Sequence, residues 1–306
     1  SNKGDTGMNI LLTGGTGTLG VPLCAALHGA GHRLTVLSRR PAAEVQRICG
    51  ASVEVWPSLE AWSADRSFEA VVNLAGEPIA DARWTHSRQQ LLRSSRIGLT
   101  DTLVARIAAS HCPPKVLLSG SAVGWYGDRG NATLDERAQG GNDFAARLCA
   151  DWEASAQRAS ESGVRVCLLR TGLVLSRHGG MLARMYWPFR LGLGMRLGDG
   201  SQWMSWIHLD DWMACALRLL SDSEAQGAFN LTAPAPVANG EFTQRLAQSL
   251  RRSAHLAMPA VALRLGLGEA AGLLLGGQRV LPQRLESAGY RFQFPQLEGA
   301  LRSLMR

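Results

Sequence analysis

The chain has 306 residues, 46% hydrophobic and 19% charged, enough apolar material for a large core in one domain or two closely associated ones. No uninterrupted apolar run is long enough to span a bilayer and no basic-then-apolar leader opens the chain, so a cytoplasmic protein with no membrane partner is expected. The net charge of +7 raises the question of nucleic acid, but the arginines are scattered and aromatic interleaving is absent, so no nucleic-acid partner is expected.

Ser1 to Gly7 reads as an expression remnant, with Met8 as the native start. Ile10-Leu11-Leu12 then reads as a buried strand, followed by a glycine turn and a helical pattern (Val21, Leu23, Cys24, Leu27). Gly14, Gly17 and Gly20 are spaced three apart between strand and helix. That context suits a turn whose backbone approaches a pyrophosphate at a helix N-terminus. Further strands are predicted at His32 to Ser38, Val53 to Trp56, Phe68 to Ala75, Lys115 to Ser119 and Val164 to Arg170. Between them fall a long amphipathic helix, Trp84 to Ser110, and another at Phe144 to Ser162. This alternation predicts an α/β, Rossmann-like doubly wound parallel sheet.

From Thr171 onward the alternation weakens. Helices are predicted at Asp210 to Ser221, capped by Asp210 or Asp211, and at Asn239 to Arg251, capped by Asn239. A strand is predicted at Gly227 to Leu231, an apolar helix with glycine interruptions at Ala260 to Leu275, and a short helix at Pro295 to Leu304. The expected division is a cofactor-binding domain over 8–172 and a smaller, mixed C-terminal substrate domain over 173–306, parts of which return to the sheet.

Six cysteines without a Cys-x-x-Cys pair read as buried reduced thiols, and seven histidines without ligand spacing give no metal site. At the end of the second strand, Ser38-Arg39-Arg40 has two arginines and no acid. An acid there would accept from a ribose 2′-hydroxyl; arginines suit a 2′-phosphate, hence NADP(H). An exposed basic loop is the alternative. Asn73-Leu74-Ala75-Gly76 ends the fourth strand with small residues that permit close packing against a bound ring.

Thr13-Gly-Gly-Thr-Gly-Thr-Leu-Gly20, Asn73-Leu-Ala-Gly76, Ser119-Gly-Ser-Ala-Val-Gly-Trp-Tyr-Gly127, Leu169-Arg-Thr-Gly-Leu-Val-Leu175 and Trp206-Ile-His-Leu-Asp210 follow one another in the chain. That series resembles the extended, epimerase-like short-chain dehydrogenase/reductases. Gly76-Glu-Pro-Ile-Ala80, Ser94-Ser-Arg-Ile97, Pro188-Phe-Arg-Leu-Gly-Leu-Gly194 and Gly277-Gln-Arg-Val-Leu-Pro282 narrow the resemblance to the YfcH-type epimerase family group. It implies NADP(H) held by Gly14, Thr16, Gly17, Leu19, Gly20, Ser38, Arg39, Arg40, Leu74, Ala75, Gly76 and Arg96. It also implies a small-molecule substrate, which the sequence does not name; an oligomer is compatible with the sequence.

Family chemistry uses a tyrosine as general acid/base with a lysine one helical turn later, which lowers the tyrosine pKa. That pair is missing. The helix from Phe144 holds neither residue, and aligning on Glu153 puts Ala145 and Cys149 in their places. The chain has three tyrosines, Tyr126, Tyr186 and Tyr290, and two lysines, Lys3 and Lys115; none forms the pair. Ser121 occupies the family serine's place and is expected to polarise a reacting carbonyl, with Tyr126 or water supplying the proton. A packed Tyr126 is the alternative. Cys149 reads as packing rather than a nucleophile. His208 and Asp210 read as structural as readily as catalytic, and Trp203, Trp206 and Trp212 as pocket lining or core. Two functions result: an NADP(H)-dependent oxidoreductase-like protein, or a non-catalytic NADP(H)-binding sensor or assembly protein. Sugar-nucleotide epimerisation is disfavoured because the usual proton shuttle is absent.

Overall fold

The computed structural model describes residues 7–305, so the proposed remnant lies, apart from Gly7, outside the described residues. The first half alternates as its apolar runs predict: β1 (Asn9–Thr13), α1 (Gly20–Gly29), β2 (Arg33–Leu37), α2 (Ala42–Cys49), β3 (Glu54–Trp56) and β4 (Ala70–Asn73). Next come α3 (His86–Arg93), α4 (Leu99–Ala109), β5 (Val116–Ala122), α5 (Phe144–Gln157) and β6 (Arg165–Thr171). The second half contributes α6 (Gly180–Arg190), α7 (Leu209–Ser221), β7 (Gly227–Leu231), α8 (Asn239–Ser249) and α9 (Ala260–Leu267).

The sheet order is β7-β6-β5-β4-β1-β2-β3, with every neighbouring pair parallel. Such a sheet is covered on both faces, and alternate residues of one strand enter different cores. Ile10 and Leu12 pack with α1 and α7 residues such as Leu23, Leu27 and Trp212. Leu11 packs on the opposite face with Leu103, Val104 and Ile107 of α4. A third core joins Leu182 and Phe189 of α6, Phe242 and Leu246 of α8, Trp206 and Leu301. Trp206 and Trp212 are fully buried, so both are core; Trp203 instead lies under the Arg279 guanidinium, 4.4 Å from its ring centroid.

The predicted long helix runs without interruption from His86 to Ala109, but its pitch changes midway. Between α3 and α4, Ser94–Gly98 forms a π-helical turn, which lengthens the backbone by a residue and redirects the side chains it carries, Arg96 among them. The cap expectations also change. His208 caps α7, its Nδ1 accepting from the Asp210 amide at 3.0 Å. Asp211 is buried and accepts from Tyr290 Oη (3.0 Å), the Gln293 amide (2.8 Å) and the Phe294 amide (2.9 Å), fastening the C-terminal segment. Asn239 lies within α8 and spends its Oδ1 on the Leu197 amide, 2.8 Å away.

Beyond residue 172 the chain leaves the sheet and comes back. α7 packs into the first core, β7 extends the sheet beside β6, and Tyr290 and Phe292 pack against that same core. Among the described residues no helix is long and apolar enough to cross a membrane.

Candidate dinucleotide site

β1, β2 and β4 end side by side, and the loops leaving them enclose a cavity of about 900 Å³. Two glycines of the β1–α1 turn are required by the turn itself. Gly14 has φ +73°, and a Cβ there would sit 2.6 Å from the Leu74 carbonyl carbon; one on Gly20 would sit 2.1 Å from the Gly14 oxygen. Gly17 differs: its Cβ would meet only the Gly14 oxygen, at 3.3 Å, and it faces the cavity. The first turn of α1 carries no acidic residue, so its positive end is left uncompensated there.

A buried polar network fixes the floor. Thr13 Oγ1 donates to Asn73 Oδ1 at 2.6 Å and accepts from the Ala75 amide at 3.2 Å. Asn73 Nδ2 donates to Thr100 Oγ1 at 2.9 Å, and Thr100 donates to the Arg96 carbonyl at 2.6 Å. The strand ends and the π-helical turn are thereby tied together, each polar group satisfied within the protein.

Of the twelve residues the family pattern selects, Gly14, Thr16, Gly17, Ser38, Arg39, Arg40, Leu74, Ala75 and Gly76 line the cavity. Leu19, Gly20 and Arg96 are not in its lining. Arg96 lies across Gly76, whose Cβ position is 3.0 Å from its Cζ, and over the Trp152 ring at 5.3 Å; burial pulls its pKa down. Sequence reading missed Pro57, Ser58, Leu59, Glu77, Leu99 and Thr102. They sit on loops and helices brought in by the fold, and apart from Glu77, which lies in the Gly76-Glu-Pro-Ile-Ala80 stretch, no local motif marks them. Arg39 is 92% exposed and only loosely paired with Glu77 (3.8 Å), which in turn reaches Arg88 at 3.9 Å; Arg40 pairs with Glu44 at 2.7 Å.

The residues expected to do chemistry are placed differently. Ser121 Oγ donates to Glu153 Oε1 at 2.7 Å. Glu153 also takes Arg170 Nε at 2.8 Å and Nη2 at 2.9 Å, a bidentate pair with both residues buried. A carboxylate so paired only accepts, so the single Ser121 proton points inward and offers no donor to a carbonyl. Arg170 Nη1 donates to Tyr126 Oη at 3.2 Å, and Tyr126 donates to Asn230 Oδ1 at 2.7 Å. The Tyr126 side chain has no exposed surface, and burial raises its pKa. Of the two readings of Tyr126, this is the packed one: its hydroxyl is held inside the protein by Asn230 and Arg170. Cys149 is likewise buried, its thiol pushed up to about 12 by burial and then by the Glu153 charge, which keeps it protonated and unreactive. His208 Nε2 lies 2.9 Å from Ser303 Oγ and its ring stacks on Phe294 at 3.9 Å, a structural placement. Among the described residues there is no cluster of three or more metal-ligating side chains.

A parallel sheet with a glycine turn and an open cavity across its C-terminal edge defines a Rossmann-like protein of the dinucleotide-binding class. The NAD dependent epimerase/dehydratase family model matches residues 10–232, and a domain of unknown function, DUF1731, matches 258–304. The chain belongs to the NAD dependent epimerase/dehydratase family, in its extended short-chain dehydrogenase/reductase branch. It is 41% identical to an epimerase family protein of Mycobacterium bovis over 95% of this chain and 96% of that one. The crystal structure of human epimerase family protein SDR39U1 (isoform 2) with NADPH is 35% identical with a TM-score of 0.89, covering 97% of this chain and 99% of that one. UDP-N-acetylglucosamine 4-epimerase from Bacillus cereus shares the fold at 15% identity and TM-score 0.75, covering 97% and 98% of the two chains.

Proposed function

We propose that this chain is an NADP(H)-binding, oxidoreductase-like protein that does not use a tyrosine–lysine dyad. The observation that carries the reading is the cavity. It joins a glycine-rich turn, at the positive end of α1, to the weakly engaged guanidinium of Arg39 at the end of β2. Gly14, Thr16 and Gly17 would hold the pyrophosphate, Ser38 and Arg39 the 2′-phosphate, and Leu74 to Gly76 would pack against the rest of the dinucleotide. The crystallised human relative with NADPH supports the same choice of cofactor. When bound, the nicotinamide ring would supply two-electron redox chemistry.

The chain's own part is to bind and orient. Ser121 acts through its oxygen lone pair, as an acceptor for a hydroxyl or amide N–H, because its proton belongs to Glu153. A cytoplasmic location belongs to this reading, supported by six unpaired cysteines of which Cys112 alone is exposed. Calorimetric titration with NADPH and NADH tests the proposal. NADPH should bind more tightly, and Arg39→Ala should narrow the gap; equal affinity for the two cofactors would refute the assignment of the β2 tip. One observation favours the second reading, a cofactor-loaded sensor: Tyr126, Ser121 and Cys149 all lack a proton to give outward. Sustained NADPH oxidation with any member of a carbonyl panel would exclude it.

A further inference from the structure

Seven large hydrophobic side chains stand exposed among the described residues, and all but Leu91 fall in two short stretches. Trp187, Leu191 and Leu193 lie at the end of α6 and just beyond it; Leu256, Val261 and Leu265 lie on a short strand and on α9. The stretches are neighbours. Met195 pairs with Leu256, Arg252 Nε donates to the Arg190 carbonyl at 2.8 Å, and Gly198 abuts Ala260 at the start of α9. α9 itself, Ala-Val-Ala-Leu-Arg-Leu-Gly-Leu, buries none of its residues, although a helix of this composition ordinarily hides an apolar face. Exposed apolar surface gathered in this way marks a contact site.

Charge says what the contact is. Residues 187–199 and 250–269 contain Arg190, Arg196, Arg251, Arg252 and Arg264 against two acids, Asp199 and Glu269, each at the end of its stretch, for an excess of three positive charges. All five arginines are exposed, and none forms an ion pair among the described residues. Val261 and Leu265 are one helical turn apart with Arg264 beside them, so apolar and cationic groups reach outward together.

We propose that this face docks on an anionic lipid bilayer surface, with Val261, Leu265 and Trp187 entering the headgroup region and the arginines pairing with lipid phosphates. Such docking needs no spanning segment, so the lack of one leaves it open. The inference is independent of the cofactor and of any turnover.

The test is co-sedimentation of the full chain with vesicles of pure phosphatidylcholine and of an equal mixture with phosphatidylglycerol. Binding is expected to the mixed vesicles only, and to weaken as salt is raised. Val261→Asp with Leu265→Asp should lower it roughly tenfold or more, and Arg264→Glu by less. Both apolar sites are exposed, so these variants keep the fold, which the far-UV spectrum and Tm report. Failure of the wild-type chain to sediment with mixed vesicles overturns the proposal, as does a double variant that binds like the wild type. A wild-type dimer in sedimentation equilibrium that Leu265→Asp converts to a monomer also overturns it, and assigns the face to a second copy of the chain.

Discussion

The two ends of the sheet's C-terminal edge are built on opposite plans. Around β1, β2 and β4 a glycine-rich turn borders an open cavity, and Arg39 has one distant partner. Around β5, α5 and β6 the polar side chains are paired with one another: Ser121 to Glu153, Glu153 to Arg170, Arg170 to Tyr126, Tyr126 to Asn230. The first region is left open for a ligand. The second is a closed internal network of buried side chains. An open cavity and a closed polar network thus stand side by side on one sheet edge.

Substitutions should divide along the same line. The largest stability loss is expected from Glu153→Ala, which leaves Arg170 buried without its partner and costs about 3–5 kcal/mol in urea unfolding. Tyr126→Phe strips a bond from Arg170 and one from Asn230, for about 1–3 kcal/mol, and should leave NADPH affinity unchanged. A Tyr126→Phe protein of normal stability would show that the network is not closed. In the open region the effects move to binding. Gly17→Ala and the pair Arg39→Ala with Arg40→Ala should each weaken NADPH roughly tenfold, with stability within about 0.5 kcal/mol of wild type. The smallest effect is expected in the pH profile. Burial lowers the His208 pKa, and neutral Nδ1 caps α7. With the folded value below the unfolded one, this stability is present above the unfolded pKa and lost as pH falls through the folded pKa. Unfolding free energies of wild type and His208→Ala should therefore differ by about 1 kcal/mol at neutral pH and converge in acid.

The sequence made the sheet legible because each strand is a short apolar run bounded by a turn. Phe68 to Ala75 was nearly continuous in apolar character, as a strand buried on both faces must be, though only Ala70–Asn73 pairs as β4. The missing dyad needed only a count. The Ser121 proton direction could not be read, because it depends on Glu153 and Arg170 approaching from two other elements. The π-helical turn was also hidden: Ser94 to Gly98 keeps an ordinary helical pattern, and nothing in it marks the wider turn. His208 as a cap escaped because aspartate is the usual capping residue and two stand just beyond Leu209.

The return of the chain to place β7 beside β6 bears on how the protein is made. Until Gly227–Leu231 emerges from the ribosome, β6 is a bare edge, apolar from Val166 to Leu169, with unpaired amides and carbonyls. A nascent chain stalled in that interval, or a fragment cut after residue 172, presents a ready template for strand pairing with another copy. Aggregation during synthesis is accordingly the hazard this topology carries, and late arrival of one five-residue strand removes it.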